Sequence, residues 1–212
     1  MLRARARRGS EEPGRTTLDY VGPLWCRILR GDKISRSIIS EAIMAQLTSA
    51  LAANRAAVDA FLAVVDQSGS IWNTPRAPHK WTPAQVTEHV ARTYDESAKL
   101  FAGQATQFPK MPGLLRPVIR AILFNRVVRK GTFPKAKTSR PMDPATGPAT
   151  PAEGRKRLEA AVNGFERQAR AIGASGDAQL SSLTFGSVSL CDWARFQEVH
   201  TRHHQAQLKV DA

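Results

Sequence analysis

The chain has 212 residues, 42% of them hydrophobic, enough for one sizeable core and so for one domain plus tails. With 31 Lys and Arg against 18 Asp and Glu it carries a net charge of +13, which favours anions in general (acidic metabolites, nucleic acid, anionic lipid) and selects none of them. Two cysteines, Cys26 and Cys191, exclude a disulfide framework and fit a reducing, cytoplasmic compartment; no apolar run approaches the ~20 residues of a membrane span, and the N-terminal arginines precede no apolar signal region.

Residues 1–37 mix Arg, Gly, Pro and Ser. Arg3, Arg5, Arg7 and Arg8 form a basic cluster that Glu11, Glu12, Pro13 and Gly14 interrupt, so the expectation is a flexible basic tail, with a nucleic-acid-binding arm as the alternative. Met44 would be a start that opens directly on the first helix. From there to the end, 38–212, the pattern is one helical domain. Over 38–66, Ile43, Leu47, Leu51, Asn54, Val58, Phe61, Leu62 and Val65 recur at three to four residues and predict a helix. Asn54 on that stripe is either a core hydrogen bond or a partner behind a functional site. Pro75, Pro78 and an exposed His79 mark 67–81 as a loop.

Thr82, Pro83 and Gln85 compose an N-cap, a first-turn proline and a capping box, and predict a helix over 82–102. Its inward stripe is Val86, His89, Val90, Thr93, Ser97 and Leu100. A second, basic helix is expected over 114–129, with Leu115, Val118, Ile119, Ile122, Leu123 and Val127 as its apolar face. From Phe101 to Met142 there are nine basic residues and no acidic one. Such a helix either lies on an anionic membrane or covers the domain with its arginines in water; the second is expected, because apolar stripes of globular proteins pack inward. Residues 131–149 are rich in Gly, Pro and Thr and read as a long loop able to reach over a site.

Thr150-Pro-Ala-Glu153 repeats the capping pattern and opens a helix over 151–172, with Leu158, Val162, Phe165, Ala169 and Ile172 inward. No strand pattern exceeds a few residues. The last helix starts at Ser189, with Asp192 three residues on, and places Trp193, Phe196, His200, His204 and Leu208 on one stripe. His200 and His204 lie one turn apart, so both imidazoles can reach one metal ion. Three of the five histidines therefore fall on inward faces, where an imidazole is tolerated only if its nitrogens find partners. Cys191 reads as a small packed residue, and neither Glu88 nor Glu198 shares a stripe with the histidines.

Trp81-x7-His89-Val90, then Phe185-Gly186, Trp193 and His200-x3-His204-x2-Gln207-Leu208, resembles the DinB-like (YfiT-like) metal-binding helical bundle family over about residues 44–210. The resemblance implies an all-α fold: a four-helix bundle with the basic helix and long loop inserted between bundle helices 2 and 3. It implies a divalent metal (Zn, Ni, Fe, Mn or Co) held by His89, His200 and His204, with His203 flanking the site. It further implies a bacterial enzyme, a transferase or isomerase using a low-molecular-weight thiol of the bacillithiol, mycothiol or glutathione type, or else a metal-dependent hydrolase. The small-molecule substrate would be acidic, drawn by the basic segment, and a homodimer is compatible with the pattern. The first 43 residues and the long basic segment depart from that pattern. Two other readings stay open: a non-catalytic bundle stabilised by its metal, and a basic nucleic-acid- or membrane-associated protein.

Overall fold

The computed structural model describes residues 36–134, 138–176 and 178–208, with side chains from residue 41 onward. The hydrophobic core lies within Ile39–Ala212. The tail expected over 1–37 lies, up to residue 35, outside the described residues.

Helix α1, Arg36–Gln67, buries Leu47, Leu51, Asn54, Val58, Phe61, Leu62 and Val65, the stripe expected from the sequence except for Ile43, which is half-buried. No uninterrupted apolar run of ~20 residues occurs in this helix, as expected, but its average composition is apolar. Glu41–Gln67 is long and apolar enough, at mean hydropathy 1.3, to cross a membrane by length and composition. Charges at Arg55 and Asp59 break any apolar run, but the alanines raise the average. In this fold the apolar stripe is spent on the core, and Arg55 on another face reaches Glu166 at 2.9 Å and Asn163 at 2.8 Å.

Helix α2, Pro83–Phe101, begins with the full capping box: Thr82 Oγ1 accepts the Gln85 N–H at 3.2 Å, and Gln85 Oε1 accepts the Thr82 N–H at 3.0 Å. Beyond Phe101 the basic segment is a broken helix, α3 Arg116–Ile119 and α4 Asn125–Lys130 around a π-turn at Arg120–Phe124. The wider turn shifts the register of the apolar face. Phe124 and Val127 are buried, whereas Leu115, Val118 and Ile122 are exposed, as is Leu114, which is 93% exposed. Only part of the expected stripe therefore packs inward. Two of the arginines hold backbone: Arg116 Nε donates to Met111 O at 2.9 Å and Arg120 to Ser187 O at 2.5 Å.

Helix α5, Pro151–Ala174, is capped by Thr150 Oγ1 on the Glu153 N–H, while Glu153 Oε2 reaches one residue past the cap to the Ala149 N–H. Gly154 is needed where it stands, because a Cβ there would lie 2.7 Å from the Trp72 ring. Next comes a hairpin that no sequence pattern announced: β1 Gln179–Ser182 pairs antiparallel with β2 Gly186–Ser189. Leu180 and Val188 point inward and Gly186 closes the turn at φ 76°. Helix α6, Leu190–Leu208, begins with Ser189 Oγ accepting the Asp192 N–H at 3.0 Å.

Helices α1, α2, α5 and α6 share one core, in which Tyr94, Phe101, Phe165, Trp193 and Leu208 join the α1 stripe. The described residues are mostly helical, and the all-α architecture holds with the hairpin as its one β element among them.

Candidate metal centre

Helix α2 contributes His89 and α6 contributes His200 and His204; all three rings are buried. Their ligand nitrogens lie within 4.8 Å of one another. His200 Nε2 is 3.3 Å from His89 Nε2 and 3.1 Å from His204 Nε2. The i,i+4 spacing set the second contact, and the packing of α2 on α6 set the first.

The outer nitrogens decide what the inner ones can do. His89 Nδ1 sits 2.8 Å from the Met142 carbonyl, which can only accept, so His89 donates from Nδ1 and its Nε2 carries a lone pair. His204 Nδ1 is 2.9 Å from Gln207 Oε1, while the amide nitrogen of Gln207 turns to His203 Nε2 at 3.1 Å. That orientation makes His204 a donor at Nδ1 as well. His89 and His204 thus both aim lone pairs at His200. A single N–H on its Nε2 could answer only one of them well, and its Nδ1 has no hydrogen-bond partner in either tautomer. A cation would accept all three lone pairs at once. The donor set therefore fits a divalent ion, and three imidazoles suit zinc and its neighbours.

Burial acts on all three rings in one direction. It is the largest cause that lowers the His89 pKa, opposed by the Met142 bond. Burial, then the neighbouring His204 and His89, hold His200 well below the usual imidazole range. Burial and then His89 press His204 down to about 3, against the opposing bond to Gln207. All three are thus held neutral, the form that binds metal.

Aromatic rings brace the cluster. Trp81 lies against His89 with centroids 4.8 Å apart, and Phe133 meets His200 edge-on at 5.2 Å. The cluster faces an open cavity of about 920 Å³, and no Asp or Glu is among its described lining residues.

A family model described as the DinB superfamily matches residues 46–208. The chain belongs to the DinB superfamily. No curated protein and no solved structure matches it. The DinB match takes in most of α1, all of α2, α5 and α6, and the three histidines.

Other residues singled out in this DinB chain lie around the cluster or away from it. His203 is half-buried and flanks the cluster, its ring 5.1 Å from that of His204. His79 is exposed, in a left-handed backbone conformation at the cavity rim. Asn54 does not reach the histidines: its Oδ1 accepts from Tyr94 Oη at 2.8 Å, and that hydroxyl pairs with Thr201 Oγ1 at 2.9 Å. Glu88 pairs with Arg92 and Arg157, and Glu198 with Arg195 and Arg202. Burial and Asp192 push the Cys191 thiol up, away from reactivity. Sequence reasoning missed the Met142 carbonyl, which has no side-chain signature, and the orienting role of Gln207. The approach of Gln207 to His204, three residues earlier on the same helix, was the available clue.

Proposed function

We propose that this protein binds one divalent ion, of the zinc, nickel, iron, manganese or cobalt kind, through Nε2 of His89, His200 and His204, and that the site is enzymatic. In this reading it is a transferase or isomerase that brings a low-molecular-weight thiol and a second small molecule together in the cavity. The observation that carries the proposal is the convergence of three Nε2 atoms on an open cavity, two of the rings already oriented at Nδ1 by Met142 and Gln207. Three protein ligands leave coordination positions free. When bound, such an ion supplies a Lewis acid that lowers the pKa of a thiol or water and polarises a carbonyl.

The chain's own part is orientation and exclusion of water. Met142 and Gln207 fix the rings, and Trp81 and Phe133 cover them. The described lining offers no carboxylate base, and a thiolate nucleophile needs none. The family resemblance supports the thiol, and a thiol co-substrate suits a cytoplasmic, reducing setting.

Elemental analysis of protein purified without an affinity tag tests the metal. Titration of the metal-loaded protein with mycothiol, bacillithiol and glutathione, followed by absorbance with cobalt and by calorimetry, tests the thiol. One stoichiometric metal and a response to a thiol are expected. Metal without any thiol response would instead support the non-catalytic reading, in which the ion ties α2 to α6 through three buried rings.

A further inference from the structure

The cavity beside the histidines has a composition of its own. One wall is aromatic: Phe108, Phe133, Phe185, Trp193 and Phe196 line it. These rings brace one another, with Phe133 to Phe196 at 5.2 Å, Trp193 to Phe196 at 6.1 Å and Phe108 to Trp193 at 5.7 Å between centroids. Phe124 behind them stacks on Phe196 at 5.1 Å and stiffens the surface. Rings held this way, tilted and edge-on to one another, present an apolar face whose shape changes little when a ligand arrives.

The polar groups in that wall are already engaged. Gln197 Nε2 donates to Ser97 Oγ at 2.6 Å, Trp193 Nε1 donates to the same oxygen at 3.0 Å, and Thr184 Oγ1 donates to Pro109 O at 2.5 Å. A ligand rich in hydroxyls would leave many of them unpaired against this wall, at the penalty of buried unsatisfied polar groups. An apolar body would not.

The rim differs. Among the described lining residues the only charged side chains are Arg76 and Lys80, both exposed, on the α1–α2 connection. Neither has an acidic partner among the described residues. The arginines and lysine of α3 and α4 do not line the cavity. Among the described residues, the charge at the cavity rim therefore comes from the α1–α2 connection.

We propose that the cavity receives an anionic ligand with an aromatic or apolar body, its charge toward Arg76 and Lys80 and its body against the Phe133–Phe196–Trp193 wall. At about 920 Å³ the cavity is at the upper end of the range for small-molecule sites, with room for such a ligand beside a second molecule near the histidines. This inference rests on the cavity being the substrate site of the function proposed above, and it names that substrate's class.

The test uses the full chain freed of metal with a chelator, so that coordination to the histidines plays no part. Naphthalene-2-sulfonate, its neutral sulfonamide and a naphthyl trimethylammonium salt are titrated by calorimetry at low and moderate salt. The sulfonate is expected to bind at least ~10-fold more tightly than the sulfonamide at low salt, with the cation weakest, and the preference should shrink with salt. The double variant Arg76→Gln/Lys80→Gln, on exposed loop positions, should bring sulfonate and sulfonamide within about twofold. Phe133→Ser should weaken both probes alike. Equal binding of sulfonate and sulfonamide by the unaltered protein, or an undiminished preference in the double variant, overturns the proposal. A protein that selects the sulfonate but takes up no metal keeps this inference and sinks the metal reading; one that takes metal but shows no selection does the reverse.

Discussion

Helices α2 and α6 meet in two polar clusters, and the clusters are built on opposite principles. In one, Ser97 Oγ donates to Thr93 O at 2.7 Å and accepts from Trp193 Nε1 and Gln197 Nε2, while Thr93 Oγ1 donates to Val90 O at 2.7 Å. The donors there meet acceptors, and the network closes on itself. In the other, one turn away along α6, the three histidines turn their Nε2 atoms toward one another. A closed network of buried polar groups holds two helices in register and asks for nothing more. An open one, with its acceptors facing inward, is complete only when another atom arrives.

Breaking the closed cluster should have the largest effect. Trp193→Ala removes a fully buried ring and should destabilise the protein by about 3–5 kcal/mol in denaturant titrations. Ser97→Ala strands the Trp193 and Gln197 donors and should cost about 1–3 kcal/mol, with metal affinity of the folded protein unchanged within about twofold. A Ser97→Ala protein of unaltered stability would show that the network does not hold the register.

The open cluster should respond in the other measurement. His89→Ala, His200→Ala or His204→Ala should each lower metal affinity by ~100-fold or more in chelator competition, since losing only an outer partner of a ligand already costs about 10–100-fold. Gln207→Ala, which frees the His204 ring, should cost ~10-fold. His79→Ala and His203→Ala should change little; if all five histidine variants bind metal equally, the site lies elsewhere.

Acid sharpens the contrast between metal-free and metal-loaded protein. The folded pKa values of His89, His200 and His204 lie below that of an unfolded imidazole near 6.5. Below pH 6.5 the unfolded chain therefore binds more protons than the folded one, and stability falls as pH falls, down toward the folded pKa of about 3 at His204. Thermal unfolding of the metal-free protein should show a steady loss of Tm from pH 7 to pH 5. His204→Leu should flatten that slope, and an unchanged slope would mean that the rings are not buried neutral.

The smallest effect is expected from the basic segment. Arg126→Gln, Arg129→Gln and Lys130→Gln together should leave metal content and the choice between sulfonate and sulfonamide unchanged, because none of the three lines the cavity. Duplex DNA should bind this protein weakly. Tight binding that falls steeply with salt and disappears in the triple variant would instead promote nucleic acid to a partner.

Much of this was legible in the chain because it is local. The capping box at Thr82, the N-cap at Thr150 and the inward stripes of α1, α2, α5 and α6 depend on residues three or four apart, which the helix itself brings together. By itself the sequence determined the bundle helices, the pairing of His200 with His204 and the inward aim of His89. Only the tertiary structure decided that His89 Nδ1 meets the Met142 carbonyl, 53 residues away in a loop whose path no periodicity encodes. The same holds for the π-turn that leaves Val118 and Ile122 exposed, and for a hairpin with strands of four residues, too short to stand out as a pattern. The charge at the cavity rim was placed by folding as well. The sequence shows where cations are dense, along Phe101 to Met142, but which cations face a shared space depends on how the elements pack, and among the described residues Arg76 and Lys80 do.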